Sequence, residues 1–193
     1  RPRGGGLLLL AAVIALLPLA LANNYFYEVA ILVALNATVC VGLNLLIGYA
    51  GQISLGHAGF FALGGYGSAI LATQVGLPPW LSLPLACAGT ALLALLIGRP
   101  TLRLKGHTLA MATLGLGVII AIVITTEDRL TGGPDGMLVP PLVLFGWTVA
   151  GERTWYWISG AVLLATVWLA FNLIESPRGR ALRALHGSEV AAQ

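Results

Sequence analysis

The chain has 193 residues, of which 58% are hydrophobic and only 9% charged, with a formal net charge of +3. Ordinary soluble domains are about 45–50% apolar and about 25% charged, and a chain of this size has too much surface to hide the excess inside a core. The composition therefore excludes a water-soluble domain and predicts an all-α integral membrane protein, a polytopic bundle of transmembrane helices. The basic residues stand in short clusters between apolar runs, as cytoplasmic membrane flanks do, so the positive charge predicts no nucleic-acid partner.

Six apolar segments follow in chain order, at 7–22, 29–47, 56–75, 80–98, 108–126 and 155–174. A spanning helix takes about 20 residues, and residues 29–98 hold no Asp, Glu, Lys or Arg. The transmembrane part is thus expected over 1–175 with about six spans. Lys and Arg collect on the cytoplasmic side of a membrane. With the N-terminus inside, Arg1, Arg3, Arg99, Arg103, Lys105, Arg178, Arg180 and Arg183 fall inside, and Arg129 and Arg153 outside. The acidic residues favour the other side, with Glu28, Glu127, Asp128, Asp135 and Glu152 outside and Glu175 and Glu189 inside. In the first segment, Arg1, Arg3, the leucine-rich run and Ala20-Leu21-Ala22 ahead of Asn23 also fit a cleaved signal peptide. Its apolar stretch is longer than the usual signal core, which favours a retained span.

The second segment carries Asn36, Cys40 and Asn44 at i, i+4 and i+8, one stripe on one helical face. Hydrogen bonding between helices accounts for such asparagines, and a place on a solute path is the sharper alternative. Cys40 and Cys87 read as small thiols within apolar runs, with no disulfide or metal role.

The most informative stretch is Gly48-Tyr-Ala-Gly-Gln-Ile-Ser-Leu-Gly-His-Ala-Gly-Phe60, which continues to Gly67 and holds seven glycines with Gln52, Ser54 and His57. Each glycine weakens a helix by about 1 kcal/mol relative to alanine, so a broken helix is expected near 48–57. Irregular backbone and polar side chains persist at membrane depth only when buried in protein or lining a wet cavity. Asn36, Asn44, Gln52, Ser54 and His57 are therefore the candidates for a translocation pathway or gate. Ala50, Ser54, Ala58 and Ala62 recur every four residues, and Gly51, Gly59 and Gly67 every eight. Small residues in rows let helices approach closely, which assigns Gly51, Gly59, Gly67, Ala58 and Ala62 to helix packing. Ser54 and His57 lack an acidic partner within the spans and the first glycine of a hydrolase elbow, so no catalytic residue is assigned. His57, His107 and His186 have no ligand spacing, so no metal is assigned either.

After the fourth segment, the short basic turn at 99–107 sets topology and meets anionic lipid. The acidic outer segment at 127–153 suits either an extracellular partner or an ordered connector. Past the sixth segment the chain leaves the membrane. Pro177 can open a helix whose apolar face, Ala181, Leu182, Ala184 and Leu185, lies beside Arg180 and Arg183, and Ser188 can cap a second short helix. Residues 176–193 thus suit lipid contact or docking to a cytoplasmic protein. The chain begins without Met and ends among polar residues, so a longer protein with further C-terminal spans is expected.

Four stretches in order, 48–60, Leu102-Arg-Leu-Lys-Gly-His-Thr-Leu-Ala-Met-Ala-Thr-Leu114, Leu130-Thr-Gly-Gly-Pro-Asp-Gly136 and Ser176-Pro-Arg-Gly-Arg-Ala-Leu-Arg-Ala184, resemble the LivM-like permease subunits of branched-chain amino acid ABC transporters. The resemblance runs from about Tyr25 to Gln193. It implies a second related permease subunit, a pair of cytoplasmic ABC ATPases, an external solute-binding protein and a place in the bacterial inner membrane. ATP would be used by the ATPase partner, with no cofactor bound by this chain and no enzymatic activity of its own. Glu189-Val-Ala-Ala192 looks like the permease coupling motif, so Arg180, Arg183, Glu189, Ala191 and Ala192 are the candidates for ATPase coupling; the glycine that follows in the motif lies beyond Gln193. The cargo implied is a branched-chain amino acid or a similar small polar solute. An ATP-independent channel or a secondary transporter is the alternative, but a coupled transporter usually carries an ionisable residue inside a span.

Overall fold

In the computed structural model, residues 3–20, 23–101, 106–144, 147–177 and 179 are described. Among these described residues, seven α-helices follow in order: α1 (Arg3–Ala20), α2 (Asn24–Asn44), α3 (His57–Thr73), α4 (Pro79–Thr101), α5 (Gly106–Thr126), the single turn α6 (Asp128–Thr131) and α7 (Glu152–Glu175). A π-helical turn, Leu45–Tyr49, extends α2, a 3-10 turn spans Gly133–Asp135, and a minimal antiparallel ribbon pairs Val143 with Thr148 and Leu144 with Trp147. Among the described residues, four helices are long and apolar enough to cross a membrane: Asn24–Tyr49, Pro79–Arg99, Gly106–Thr126 and Glu152–Glu175. The first and third apolar segments are helical as well but shorter, with an apolar Gly5–Leu19 and 17 residues in α3. The chain is a helical membrane protein. Large side chains such as Leu8, Leu95 and Met111 stand largely exposed along the helices, as lipid-facing surfaces require.

The chain divides into two compact units, residues 1–51 with 150–193, and residues 52–149. In the first unit α7 packs on α2 and α1. Pro18 lies inside α1 and has no N–H, so the Ile14 carbonyl four residues earlier loses its helical donor. The Tyr156 hydroxyl of α7 donates to that carbonyl at 2.8 Å. Tyr156 is 3% exposed and its ring meets Tyr27 of α2 edge-on, with centroids 5.6 Å apart. Gly160, one turn along α7, makes room for Ile14: a Cβ there would lie 2.8 Å from Ile14 Cγ2. One proline-freed carbonyl thus ties α1 to the tyrosine pair between α2 and α7.

In the second unit α3 packs against α4 and α5. Ser82 of α4 is 0% exposed, and its hydroxyl lies 3.2 Å from the Ser68 hydroxyl of α3 and 3.1 Å from the Pro79 carbonyl. That interhelical polar contact is the usual adhesive where lipid offers no competing partner. Gly67 faces Ala86 of α4, where an added Cβ would make an ordinary 3.6 Å contact.

After α5 the chain forms a tight knot. Thr131, buried, donates to the Ile124 and Glu127 carbonyls and accepts from the Gly133 N–H at 3.3 Å. Gly132, Gly133 and Gly136 all have positive φ, which glycine adopts without a Cβ penalty. At Gly132 a Cβ would run into the Gly136 carbonyl, and at Gly133 into the Asp128 carboxylate. Gln74, at the end of α3, donates from Nε2 to the Arg129 and Leu130 carbonyls at 2.8 and 3.2 Å. This fixes the far ends of α3 and α5 side by side.

Past α7, the Ser176 hydroxyl donates to the Leu173 carbonyl at 2.6 Å and accepts from the Gly179 N–H at 3.2 Å. Pro177 and Gly179 are helical. Ser176 therefore caps the turn that Pro177 opens. Arg180, Arg183, Glu189, Ala191 and Ala192 lie outside the described residues, as do Arg103 and Lys105 of the basic turn and the Leu21-Ala22 pair.

Candidate functional site

The chain leaves helical geometry where its glycines concentrate. After Asn44 the backbone widens into the π turn, closed by the Ala50 N–H on the Leu45 carbonyl at 3.2 Å. Gly51 then takes φ +66, and residues 51–56 carry no helix until His57 opens α3. Short π turns recur where helices serve a function, and a positive φ is cheap for glycine alone. Gly48 leaves space for the Asn44 amide, whose Oδ1 would lie 3.1 Å from a Cβ at that position.

In the first unit, Asn44 and Cys40 line an open groove of about 350 Å³ between α2 and α7, with Tyr49, Val167, Phe171 and Ile174. Asn36 stands apart from this groove: its Nδ2 donates to the Leu32 carbonyl of its own helix at 2.8 Å and its side chain is exposed. The i, i+4, i+8 stripe is thus split: Cys40 and Asn44 line the groove, and Asn36 bonds within its own helix.

In the second unit, Gln52, Ser54 and His57 are all half-buried. The end of the break is held on α5. The Leu55 N–H donates to Thr113 Oγ1 at 3.1 Å, and Thr113 Oγ1 donates to the Ala110 carbonyl at 3.0 Å. Gly56 is buried and lies so close that any Cβ would strike the Thr113 carbonyl. From the other side, a Cβ on Gly117 would lie 3.3 Å from the Gly56 Cα. Gly59 completes the contact, with an added Cβ 3.0 Å from Ile120 Cδ1 and 3.1 Å from the Gly117 Cα. Ala58 and Ala62 line the adjoining shallow groove of about 240 Å³ with Leu114, Val118 and Ala121.

These contacts fix the level of the break. Thr113 is seven residues past Gly106, the first residue of α5, which is about 10 Å along the helix at its standard rise. The entry to α3 therefore lies well inside the length of α5 and not at its end. A backbone segment at that level has its polar groups satisfied by protein or by a wet cavity. Leu55 takes the first option through Thr113. Among the described residues no group of three or more His, Cys, Asp or Glu is placed to hold a metal ion.

The sequence marks Gly59 and the break but gives little notice of their counterparts on α5. Thr113 and Gly117 sit in the motif 102–114 and just after it, and an i, i+4 Thr/Gly pair in an apolar helix is the signal that points to a close contact.

A family model described as the permease component of the branched-chain amino acid transport system matches residues 25–193. The chain is 31% identical to the high-affinity branched-chain amino acid transport system permease protein LivM of Escherichia coli (strain K12), over 93% of this chain and 49% of that protein. It is 30% identical to the protein of the same name from Salmonella typhimurium (strain LT2), over 79% of this chain and 42% of that protein. It spans about half the length of these curated relatives, and no solved structure gives a significant match. The family match takes in the break, its seat on α5, the knot after α5 and the capped turn after α7, and the chain belongs to the family of branched-chain amino acid transport permease components.

Proposed function

We propose that this chain is part of the membrane permease subunit of an ATP-driven importer for branched-chain amino acids or a similar small polar solute. The match of the family model over residues 25–193 carries the reading. In it, the chain crosses the bacterial inner membrane about six times with its N-terminus inside, using α1, α2, α3, α4, α5 and α7. A second related permease completes the pathway, an external binding protein delivers the solute, and cytoplasmic ATPases seat on the segment around Glu189. The break at 48–57, with Gln52, Ser54 and His57, is the gated part of the pathway. Residues 29–98 offer no ionised side chain to a zwitterionic solute. Weak binding in the pathway, with selection left to the external binding protein, fits this.

Uptake of labelled leucine, with urea as comparator, tests the cargo class in cells that lack the gene and are complemented with the full-length protein and its neighbouring subunits. Leucine accumulation above the urea level supports the reading. Urea accumulation without leucine replaces the cargo class, and accumulation of neither removes it.

A further inference from the structure

We propose that Thr113 is a positioning residue for transport: its hydroxyl pins the Leu55 end of the break to α5, so that the gate segment follows α5 when access changes. This rests on the reading of 48–57 as the gated part of the pathway. Thr38, Thr73 and Thr166 each turn the hydroxyl back to the carbonyl four residues earlier in their own helix, the ordinary way to satisfy a helical threonine. Thr113 instead donates to Ala110, three residues earlier, and receives the N–H of Leu55, 58 residues away in sequence. Leu55 lies outside any helix, so its N–H has no ladder partner. Leu55 is 53% exposed, and at membrane depth, where lipid offers no hydrogen-bond partner, an unpaired N–H is costly.

The surrounding backbone is shaped for this bond. Gly56 sits so close to the Thr113 carbonyl that no side chain fits there, and a Cβ on Gly117 would lie a tight 3.3 Å from the Gly56 Cα. The glycines permit contact, and the Thr113–Leu55 hydrogen bond adds a directional tie along the helix axis. Single polar contacts between membrane helices are weak enough to be made and broken during a conformational cycle.

The test uses the full-length transporter in which Cys40, Cys87 and every other cysteine that the label reaches, in this protein or its partners, are replaced by alanine and Ser54 by cysteine. The rate at which a membrane-impermeant maleimide labels that cysteine reports how far the break is held. Thr113→Val removes the acceptor and keeps the shape, and Thr113→Ser keeps the acceptor. Thr113→Val is expected to speed labelling about three- to tenfold, the population change that loss of one such bond supplies, with Thr113→Ser close to the parent. In the transporter with Ser54 intact, Thr113→Val is expected to lower the maximal leucine uptake rate per transporter by about threefold or more. KM should change little, and Thr113→Ser should restore the rate. Equal labelling in all three proteins overturns the pin, and faster labelling with unchanged uptake overturns its role in transport. Should Thr113→Val not accumulate in the membrane, Thr113→Ala is read by the same criteria. If the unsubstituted transporter moves no leucine, the functional reading fails, while the labelling comparison still decides the pin.

Discussion

The Tyr156 hydroxyl donates to the Ile14 carbonyl at 2.8 Å, the one carbonyl in α1 that Pro18 deprives of its helical donor. Tyr156→Phe should therefore cost about 0.5–1.5 kcal/mol. In a Pro18→Ala background the alanine N–H can pair with Ile14 itself, so the same substitution should cost clearly less. Thermal unfolding of the four proteins of this cycle in detergent measures the difference. Equal costs in both backgrounds would show that the hydroxyl does not serve the proline-freed carbonyl.

The two ends of that bond were unequally legible in the sequence. Pro18 inside an apolar run announces a free carbonyl at Ile14, but nothing local says which side chain, 142 residues away, will serve it. Four of the six apolar segments coincide with helices long and apolar enough to cross a membrane, and they could be read from hydropathy because lipid imposes one condition, a long apolar helix, on a span. Glycine density alone did not place the break near 48–57, since Gly59, Gly64, Gly65 and Gly67 of the same stretch lie inside α3, but the break was legible because glycines weaken a helix. The partner of the break was not, because Gly117 and Thr113 are ordinary residues for an apolar helix and become special only when α3 approaches. Gly51 illustrates the limit of periodicity. It shares an eight-residue spacing with Gly59 and Gly67, yet its positive φ serves a turn, Gly59 a backbone contact with α5 and Gly67 an ordinary contact with α4.

Those three glycines should therefore respond differently. Gly59→Leu would drive a side chain into Ile120 and the Gly117 backbone and should abolish accumulation of folded protein. Gly51→Leu keeps the packing but forces a left-handed conformation on leucine, a strain of about 1–2 kcal/mol, and should lower uptake more than expression. Gly67→Ala should be tolerated within about 0.5 kcal/mol. Membrane expression and leucine uptake of the three variants check the ranking; normal expression and uptake of Gly59→Leu would contradict it.

Thr131 holds the knot after α5 with two donated or shared contacts to Ile124 and Glu127. Thr131→Val removes the hydroxyl donor to the Ile124 and Glu127 carbonyls and the acceptor of the Gly133 N–H, and should loosen residues 127–136. Gln74→Ala should release the same segment from α3. Limited proteolysis is expected to cut both variants in this segment faster than the parent. Unchanged cleavage in both would mean the knot is held by its glycine turns alone.

Glu189 carries the coupling proposal. Glu189→Lys is expected to leave the protein in the membrane while solute-dependent ATP hydrolysis by the partner ATPase falls by about tenfold, the scale of a lost charged contact at a docking site. Hydrolysis that still responds to solute in that variant would remove Glu189 from the coupling segment.

The most direct measurement is leucine uptake into proteoliposomes that hold the full-length protein with its partner subunits, with either the active ATPase or one inactivated by mutation. An ATP-driven importer accumulates leucine only with the active ATPase. Leucine transport that persists with the inactive ATPase would contradict the account and point to a channel or a secondary transporter.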